Sequence, residues 1–499
     1  MSTKKDFVAD AFFMFFGSAS GALANLIIGM ILVRHFVDKN VYATYSQSMF
    51  LADTLVAFVP LGMHRAIIYF FPRVESKRAF TFQTIMITTL LILIFGITFV
   101  LLRDRIGLWF NNPELSAGIP IILGIIWTLN FHSILLQILV ATYRATLAGV
   151  MLFAFNIVYI ASVAVGVAYD CNVQQILLII LANHMIKTVV TFAFVFGLPG
   201  NLADIKKFEH LWAQIKYSLP LGLSSFTGML SKTADRFIIM TIFSPAIYAI
   251  YDRGAITIPF IEHVPYSISN VIQPDLTQYY KEGKIDDFIH LWHESITKAA
   301  KVMFPMMIFA WVAAKHIIIF VSTDAYLNSV QYFRIYLFLL LFNLTLYPAI
   351  LMAIGHTVKI LKVSIIYVLI NVSIGILLVV VIGLGPIGPA IATVLTEFVR
   401  MMVYLFSISR SLHVNFFAVY PWKKLAGTLL TAFPCGIILY PLAQYKLHFF
   451  KSAVIDFNSL VTVMIMGIIF FTLFVLIGLK FKTITPGEIK AVRDIFRRG

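Results

Sequence analysis

The chain has 499 residues, of which 60% are hydrophobic and only 12% are charged, and its mean hydropathy is +0.91. A water-soluble protein carries about twice that charged fraction, so the composition excludes a soluble enzyme and a soluble nucleic-acid-binding protein. The net charge of +15 is therefore expected to follow membrane topology, with no nucleic-acid partner.

About fourteen apolar stretches are long enough to cross a bilayer, which takes about 20 residues. In chain order they lie near 8–36, 41–71, 80–102, 115–142, 145–170, 173–198, 214–243, 245–275, 298–321, 328–354, 357–383, 386–410, 421–443 and 454–480. The loops between them are too short for an extramembrane domain. The sequence thus predicts an all-α polytopic membrane protein with about fourteen transmembrane helices.

Lysine and arginine residues concentrate in alternate loops, on the side of the membrane that holds the N-terminus. The positive-inside rule then predicts a multi-pass protein of the cell (inner or plasma) membrane with both termini in the cytoplasm. Two polar segments, 200–213 and 482–499, are expected to lie on the inner headgroups as a linker helix and an amphipathic tail. Thr485 and Glu488 predict a capping box in the tail.

An internal repeat organises the spans. The segment "FVDKNVYATYS" (36–46) resembles "IFSPAIYAIYD" (242–252), and further along the chain His184 and Lys187 fall on Glu397 and Arg400 at nearly the same offset. Each copy holds six spans, so both copies sit the same way up, related by a pseudo-twofold axis along the membrane normal. The predicted domains are an N-lobe (1–199), the linker (200–213), a C-lobe (214–411), two further helices (412–481) and the tail (482–499).

A charged hairpin interrupts the apolar pattern at 227–259. It holds five charges: Lys232, Asp235, Arg236, Asp252 and Arg253. Counted outward from the turn near residue 244, Asp235 lies at the depth of Arg253, and Arg236 at the depth of Asp252. Unpaired charges at that depth would be prohibitive, so some must pair, with one positive charge in excess. One interpretation is an ion-pair clasp without a ligand; the other is a cationic cavity wall held by the two aspartates.

Other charged residues are candidates for substrate or ion binding. Arg65 and Arg34 lie near the ends of predicted helices, where they could contact an anionic substrate or extend to the headgroups. Asp53, Glu262 and Glu397 are candidate ion-coupling carboxylates, although Arg400 could hold Glu397 in a structural ion pair instead. We predict no cofactor and no catalytic residue. We also predict no metal, because Cys171 and Cys435 show no metal-ligand spacing.

Several motifs resemble one membrane-protein family. The segment "YSLPLGLSSFTGMLSKTADRFIIMTIFSPAIYAIYDRG" carries an LPL, an Asp-Arg-Phe-Ile-Ile run and a turn into the next helix. "VRHFVDKNVYATYSQSM", "FVPLGMHRAIIYFFP" and "GLGPIGPAIATVLTE" follow the same family in order. The chain resembles the polysaccharide-transporter family (O-antigen or oligosaccharide flippases, Wzx-like) of the MATE-like MOP flippase superfamily. The resemblance covers nearly the whole chain and extends to the fourteen-helix count.

The resemblance implies a flippase that moves polyprenyl-pyrophosphate-linked oligosaccharide, an O-antigen or exopolysaccharide repeat unit, from the inner to the outer leaflet by alternating access. Its partners would be that lipid, the bilayer and polysaccharide polymerase or assembly proteins. Arg253 aligns with an arginine of lipid II flippases. Those proteins, as aligned, also carry an arginine midway along helix 1, where this chain has Ile27, Ile28 and Gly29.

Three alternatives remain at this stage. A lipid II flippase shares the Arg253 match, and a MATE-type drug or cation antiporter shares the superfamily. A membrane polysaccharide polymerase or glycosyltransferase is the enzyme alternative, but such enzymes usually carry a large outer loop or an acidic surface cluster, and this sequence has neither.

Overall fold

The protein is described by a computed structural model over residues 4–196, 211–256, 258, 261, 263–445, 456–488 and 490. Within these residues every regular element is a helix, and the chain divides into two compact units, Met1–Ala249 and Ile250–Gly499. The predicted class, an all-α polytopic membrane protein, is confirmed.

Unit 1 contains nine complete helices among its described residues. They are α1 (Lys4–His35), α2 (Lys39–Phe58), α3 (Met63–Phe70), α4 (Lys77–Leu101), α5 (Arg103–Trp109), α6 (Leu115–Ala141), α7 (Ala145–Ala168), α8 (Val173–Val195) and α9 (Leu211–Ile242). Helix α10 (Pro245–Gly254) then begins in unit 1 and ends in unit 2. The short helix α5 was not predicted; it follows α4 directly in the loop before α6.

Close backbone approach joins α1 to α7. A Cβ atom on Gly149 would lie 2.3 Å from the Phe13 carbonyl, and one on Gly17 would lie 2.5 Å from the Gly149 carbonyl oxygen. Small residues allow such approach between membrane helices, where dispersion packing replaces the hydrophobic effect. Asp10 completes this junction by accepting hydrogen bonds from the backbone N–H (2.9 Å) and hydroxyl (2.5 Å) of Thr146, at the start of α7.

The predicted span 41–71 is a broken helix. Helices α2 and α3 are separated at 59–62 and bent by 40°. Pro60 has no backbone N–H to donate to the helical hydrogen-bond pattern. Leu61 and Gly62 adopt left-handed backbone angles, with φ of 47° and 75°. The break packs against α9, where a Cβ atom on Gly62 would lie 2.7 Å from the Gly222 nitrogen.

Unit 2 contains nine α-helices beyond α10 among its described residues. They are α11 (His263–Lys281), α12 (Ile285–Val321), α13 (Ser329–Leu337), α14 (Leu339–Asn343), α15 (Tyr347–Ala353), α16 (Thr357–Ile376), α17 (Ile387–Leu412), α18 (Trp422–Leu439) and α19 (Phe457–Lys480). A core between α12, α18 and α19 is built from side chains such as Phe309, Cys435 and Phe470.

Three predicted spans of unit 2 differ from the structure. The expected single helix 245–275 ends at Gly254 and resumes at His263, with Pro259 in between. The expected helix 328–354 is divided into α13, α14 and α15, with Leu346 in a left-handed conformation (φ 54°) before Pro348 near the start of α15. The helix expected to begin at residue 298 instead begins at Ile285, because its polar first turns continue the α-helix beyond the apolar stretch.

Each of the fourteen predicted spans nevertheless coincides with a helix or a run of helices. Nine described helices are long and apolar enough to cross a membrane, and the α2–α3 pair makes a tenth span if counted as one. The other four predicted spans correspond to α9, α10–α11, α13–α15 and α18, which are more polar, shorter or broken. The second span of each predicted repeat, α2–α3 and α10–α11, is a broken helix, and the duplication itself remains a prediction.

Some predictions fall at the edge of the described residues. The linker helix 200–213 lies outside them except for its last three residues, which begin α9, and most of the tail 482–499 also lies outside. The capping box in the tail is present: the Glu488 carboxylate accepts from the Thr485 backbone N–H at 2.8 Å. Glu488 also accepts a hydrogen bond from Lys301 on α12 at 2.6 Å, which attaches the tail to that helix.

Candidate functional site

Helix α9 carries the first three charges of the charged hairpin within unit 1. Asp235 is buried, with 2% of its surface exposed, while Arg236 is half-buried and Lys232 is exposed. The predicted turn is confirmed, since α9 ends at Ile242 and α10 begins at Pro245. The predicted pairing of Asp235 with Arg253 remains a prediction.

Asp252 and Arg253 lie in the last turn of α10, within unit 2. Each is only 9% exposed, and the Arg253 Nη2 lies 3.9 Å from the Asp252 Oδ2. That separation is an ion pair, but it is longer than the roughly 2.7–2.9 Å of a charge-assisted hydrogen bond. A cation at the C-terminal end of a helix is also favoured by the helix dipole.

Tight packing fixes the end of α10 on α13. A Cβ atom on Gly254 would lie 2.5 Å from the Ser329 carbonyl oxygen, so only glycine fits at this approach. The Ser329 hydroxyl donates to the Ile250 carbonyl at 2.6 Å, and the Tyr251 and Tyr336 hydroxyls share a hydrogen bond of 2.7 Å. Arg253 is therefore held on a rigid support immediately before a break in the helix. Broken membrane helices are tolerated where they are buried in protein or line a cavity.

Asp53 lies near polar groups of two other helices, which its position in the sequence does not suggest. It lies near the C-terminal end of α2, is exposed, and is within electrostatic range of Arg236 on α9 and of Tyr159 on α7. Because two other helices approach it, we interpret its exposure as access to a space inside unit 1 rather than to lipid. Glu262, the second candidate carboxylate, lies outside the described residues.

A further polar cluster in unit 1 connects to Tyr159. The ring of His184 lies 5.7 Å from the Tyr159 ring, and Lys187 is within electrostatic range of both His184 and His132. Sequence analysis found His184 and Lys187 but missed His132 and Tyr159. A lone histidine in an apolar span such as α6 is the signal that could have found His132.

Glu397 and Arg400 form a closed ion pair within unit 2. The Arg400 Nη2 lies 2.5 Å from the Glu397 Oε2, and the guanidinium also packs over the Tyr367 ring at 4.2 Å. Glu397 is 4% exposed, so its carboxylate is held by Arg400 away from solvent. This geometry favours the structural interpretation over ion coupling.

The two remaining candidate arginines differ in environment. Arg34 is half-buried and donates from Nη1 to the Met30 carbonyl of its own helix at 2.8 Å. Arg65 is exposed on α3. Among the residues that the structure describes, no group of three His, Cys, Asp or Glu side chains is arranged to hold a metal ion.

The sequence family that matches the chain is described as polysaccharide biosynthesis protein. The match covers residues 31–331, which is 301 of the 499 residues and includes all five charges of the hairpin. The chain belongs to this family. Comparison with the sequences of curated proteins finds no match.

Solved structures of the same fold are flippases and transporters. The lipid II flippase MurJ, in an inward closed conformation, is similar at a TM-score of 0.69 and 15% identity, over 94% of this chain and 99% of that one. An inward-facing multidrug resistance MATE family transporter gives 0.66 at 15% identity, over 79% and 94%. A MOP superfamily transporter from Pyrococcus furiosus, described as having a binding pocket of reverse polarity, gives 0.56 at 15% identity, over 82% and 96%. The family member thus has the MOP superfamily fold, as the sequence resemblance implied.

Proposed function

We propose that this family member is a flippase that translocates polyprenyl-pyrophosphate-linked oligosaccharide from the inner to the outer leaflet of the cell membrane. The observation that carries the proposal is the Asp252–Arg253 pair, buried in the last turn of a broken membrane helix inside a match to a polysaccharide biosynthesis family. A membrane protein rarely retains such charges unless they pair or bind a ligand.

Arg253 is the residue to which we assign the pyrophosphate. A planar guanidinium binds phosphate oxygens through two parallel hydrogen bonds, and a low-dielectric surrounding strengthens each of them. Asp252 keeps the guanidinium compensated when no substrate is bound. Lys232 and Arg236 on α9, with Arg34 and Arg65, are further cations that the pyrophosphate would meet during translocation, and Asp235 offsets part of the charge on α9.

Alternating access requires contacts between the two predicted lobes to break in turn. Two such contacts join residues of the N-lobe to α9 within unit 1. Asn111 donates to the Thr241 carbonyl at 2.9 Å near the end of α9, and Gln214 donates to the Thr84 hydroxyl at 2.9 Å near its start. Because 27 residues of α9 separate Gln214 from Thr241, these contacts lie about 40 Å apart. We propose that one opens to admit substrate and the other to release it.

Asp53 is the carboxylate that we assign to ion coupling. It is accessible, and the positive charge of Arg236 lies within range, so a change in its protonation or cation occupancy would alter the charge balance of α9. Glu397 is a weaker candidate because Arg400 already holds its carboxylate.

The alternatives fit less well. The fold likeness to the lipid II flippase supports transport of a related lipid, but Ile27, Ile28 and Gly29 replace the arginine that lipid II flippases carry midway along helix 1. A cationic drug would be repelled by the excess of positive charge around 232–253. A polysaccharide polymerase or glycosyltransferase would need acidic residues grouped for sugar chemistry. The sequence has no such acidic cluster, so the enzyme alternative fits less well.

Depletion of the protein tests the proposal in cells. The expected result is accumulation of a polyprenyl-pyrophosphate-linked oligosaccharide in the inner leaflet, identified by lipid extraction and mass spectrometry. Accumulation of lipid II instead would favour the alternative that the protein is a lipid II flippase. An unchanged lipid pool with loss of drug resistance would contradict the proposal.

A further inference from the structure

An apolar cavity lies within unit 2 between α12, α13, α14 and α18. Its volume is about 840 Å³, near the upper end of the ~300–1,000 Å³ that small-molecule sites usually have. Its walls are almost entirely hydrocarbon, from side chains such as Trp311, Leu337 and Phe433, and Arg334 and Tyr440 are the polar exceptions.

The two faces of α18 explain why the cavity is open. One face, with Ala432, Cys435 and Leu439, is packed into the core with α12 and α19. The other face keeps Leu430 72% exposed and Ile437 60% exposed, although both line the cavity. An accessible apolar groove of this kind can receive a hydrophobic ligand such as an acyl chain.

Arg334 lies at one end of this groove and is held in place by Trp311. Its Nε–H donates to the Trp311 carbonyl at 3.1 Å, and the guanidinium packs over the Trp311 ring at 4.5 Å. Tyr440 is within electrostatic range. Across the described part of the chain, no carboxylate lies within ion-pair distance of Arg334, in contrast to Arg253 and Arg400. A guanidinium carries four N–H donors besides Nε–H, so an anion of the ligand can complete the site.

We propose that this cavity binds an anionic glycerophospholipid, with an acyl chain along the exposed face of α18 and the phosphate on Arg334 and Tyr440. The shape and the charge of the cavity match those of such a lipid, because Arg334 is the one cationic residue that lines an otherwise apolar groove. The tail of a polyprenyl substrate fits less well, since its own pyrophosphate is assigned to Arg253 and would leave Arg334 without an anion. The residues that line this cavity do not include Asp252 or Arg253.

The helix ends indicate which leaflet supplies the lipid. Arg334 is in the last turn of the short helix α13, which begins just after the loop that the predicted topology places outside, and Tyr440 directly follows the last residue of α18. Lys423 and Lys424 lie at the opposite end of α18, the end that the positive-inside rule places in the cytoplasm. On the proposed topology, the phosphate therefore sits at the outer headgroups. Binding itself does not depend on that topology.

Lipid counting by native mass spectrometry tests the site. Detergent-purified, delipidated protein is titrated with phosphatidylglycerol or with phosphatidylcholine of the same acyl chains. Wild-type protein should retain one phosphatidylglycerol more tightly than the others. Arg334→Gln should weaken that binding about tenfold and leave phosphatidylcholine unchanged, because only the charge-assisted contact is lost. Ile437→Trp should weaken both lipids by filling the groove.

Two control variants separate the site from general effects. Arg103→Gln removes an exposed arginine of unit 1, and Leu476→Trp enlarges an exposed residue of α19 that does not line the cavity. Neither should change the titration. Equal behaviour of Arg334→Gln and Arg103→Gln would overturn the proposal. So would displacement of phosphatidylglycerol by polyprenyl phosphate at a lower concentration than the phospholipid itself requires.

Discussion

Substitutions at Asp252 and Arg253 should distinguish a role of Arg253 in substrate binding from a role in folding. Asp252 and Arg253 are each 9% exposed, and their charges lie 3.9 Å apart. Two unit charges at about 4 Å attract by ~4 kcal/mol at an effective dielectric constant of about 20, and desolvation offsets much of that. Removal of one partner of a buried pair costs about 3–5 kcal/mol, because the other charge is left buried. Arg253→Gln should therefore lower the yield of folded protein.

The double variant Asp252→Asn/Arg253→Gln removes both charges and should recover most of that yield. It should not recover transport, because the pyrophosphate has lost about 3 kcal/mol of charge-assisted hydrogen bonding, or roughly a hundredfold. Arg253→Lys should lose about tenfold, since an ammonium cannot form the two parallel bonds. The assay is flipping per folded molecule in proteoliposomes, normalised by monodisperse protein.

A matched control removes another ion pair of unit 2. Lys301→Gln/Glu488→Gln abolishes a 2.6 Å pair to which no transport role is assigned, and it should flip at the wild-type rate. Full flipping by the Asp252→Asn/Arg253→Gln protein would refute the reasoning. Arg253 would then be a structural partner of Asp252, and the clasp interpretation of the hairpin would hold.

Three further predictions follow from unit 1 and the tail. Asp53→Asn should abolish the dependence of flipping on an imposed proton or sodium gradient while substrate still binds, and a gradient response equal to wild type would contradict its coupling role. Cysteines at Thr84 and Gln214, bridged by a short thiol cross-linker in a cysteine-free background, should stop flipping until the bridge is cleaved; normal flipping by bridged protein would exclude opening at that contact. Burial raises the pKa of Glu488, but hydrogen bonds, including that from Lys301, outweigh burial and hold this pKa below its usual value of 4.5. The tail contact is therefore present above pH ~4.5 and lost as pH falls through the lowered pKa. A dye attached beforehand to a cysteine introduced in the tail should show lower fluorescence anisotropy below that pH, and Glu488→Gln should remove the pH dependence.

Hydropathy was enough to predict the helical class and the approximate position of each apolar stretch. It could not predict the breaks at 59–62, after Gly254 and around Leu346, because an apolar stretch gives the same signal whether its backbone is continuous or broken. Proline and glycine mark such sites only weakly. Pro220 lies inside the continuous helix α9, whereas Pro60 lies at a break.

The candidate site was predictable where its residues are close in sequence. The turn between α9 and α10 brings the hairpin charges within about 20 residues of one another, so their depths could be counted. The approach of Asp53 to Arg236 and Tyr159 joins three helices that are far apart in the chain. No spacing rule reports such proximity, so only the folded structure reveals it.

Reconstitution tests the central claim most directly. The polyprenyl-pyrophosphate-linked oligosaccharide that accumulates on depletion is incorporated into liposomes with the purified protein, and its exposure at the outer surface is measured with a membrane-impermeant glycan-cleaving enzyme. The account predicts that wild-type protein makes the protected half of the lipid accessible, and that Asp252→Asn/Arg253→Gln protein does so about a hundredfold more slowly. Protection that persists with folded wild-type protein under an imposed ion gradient would contradict the account.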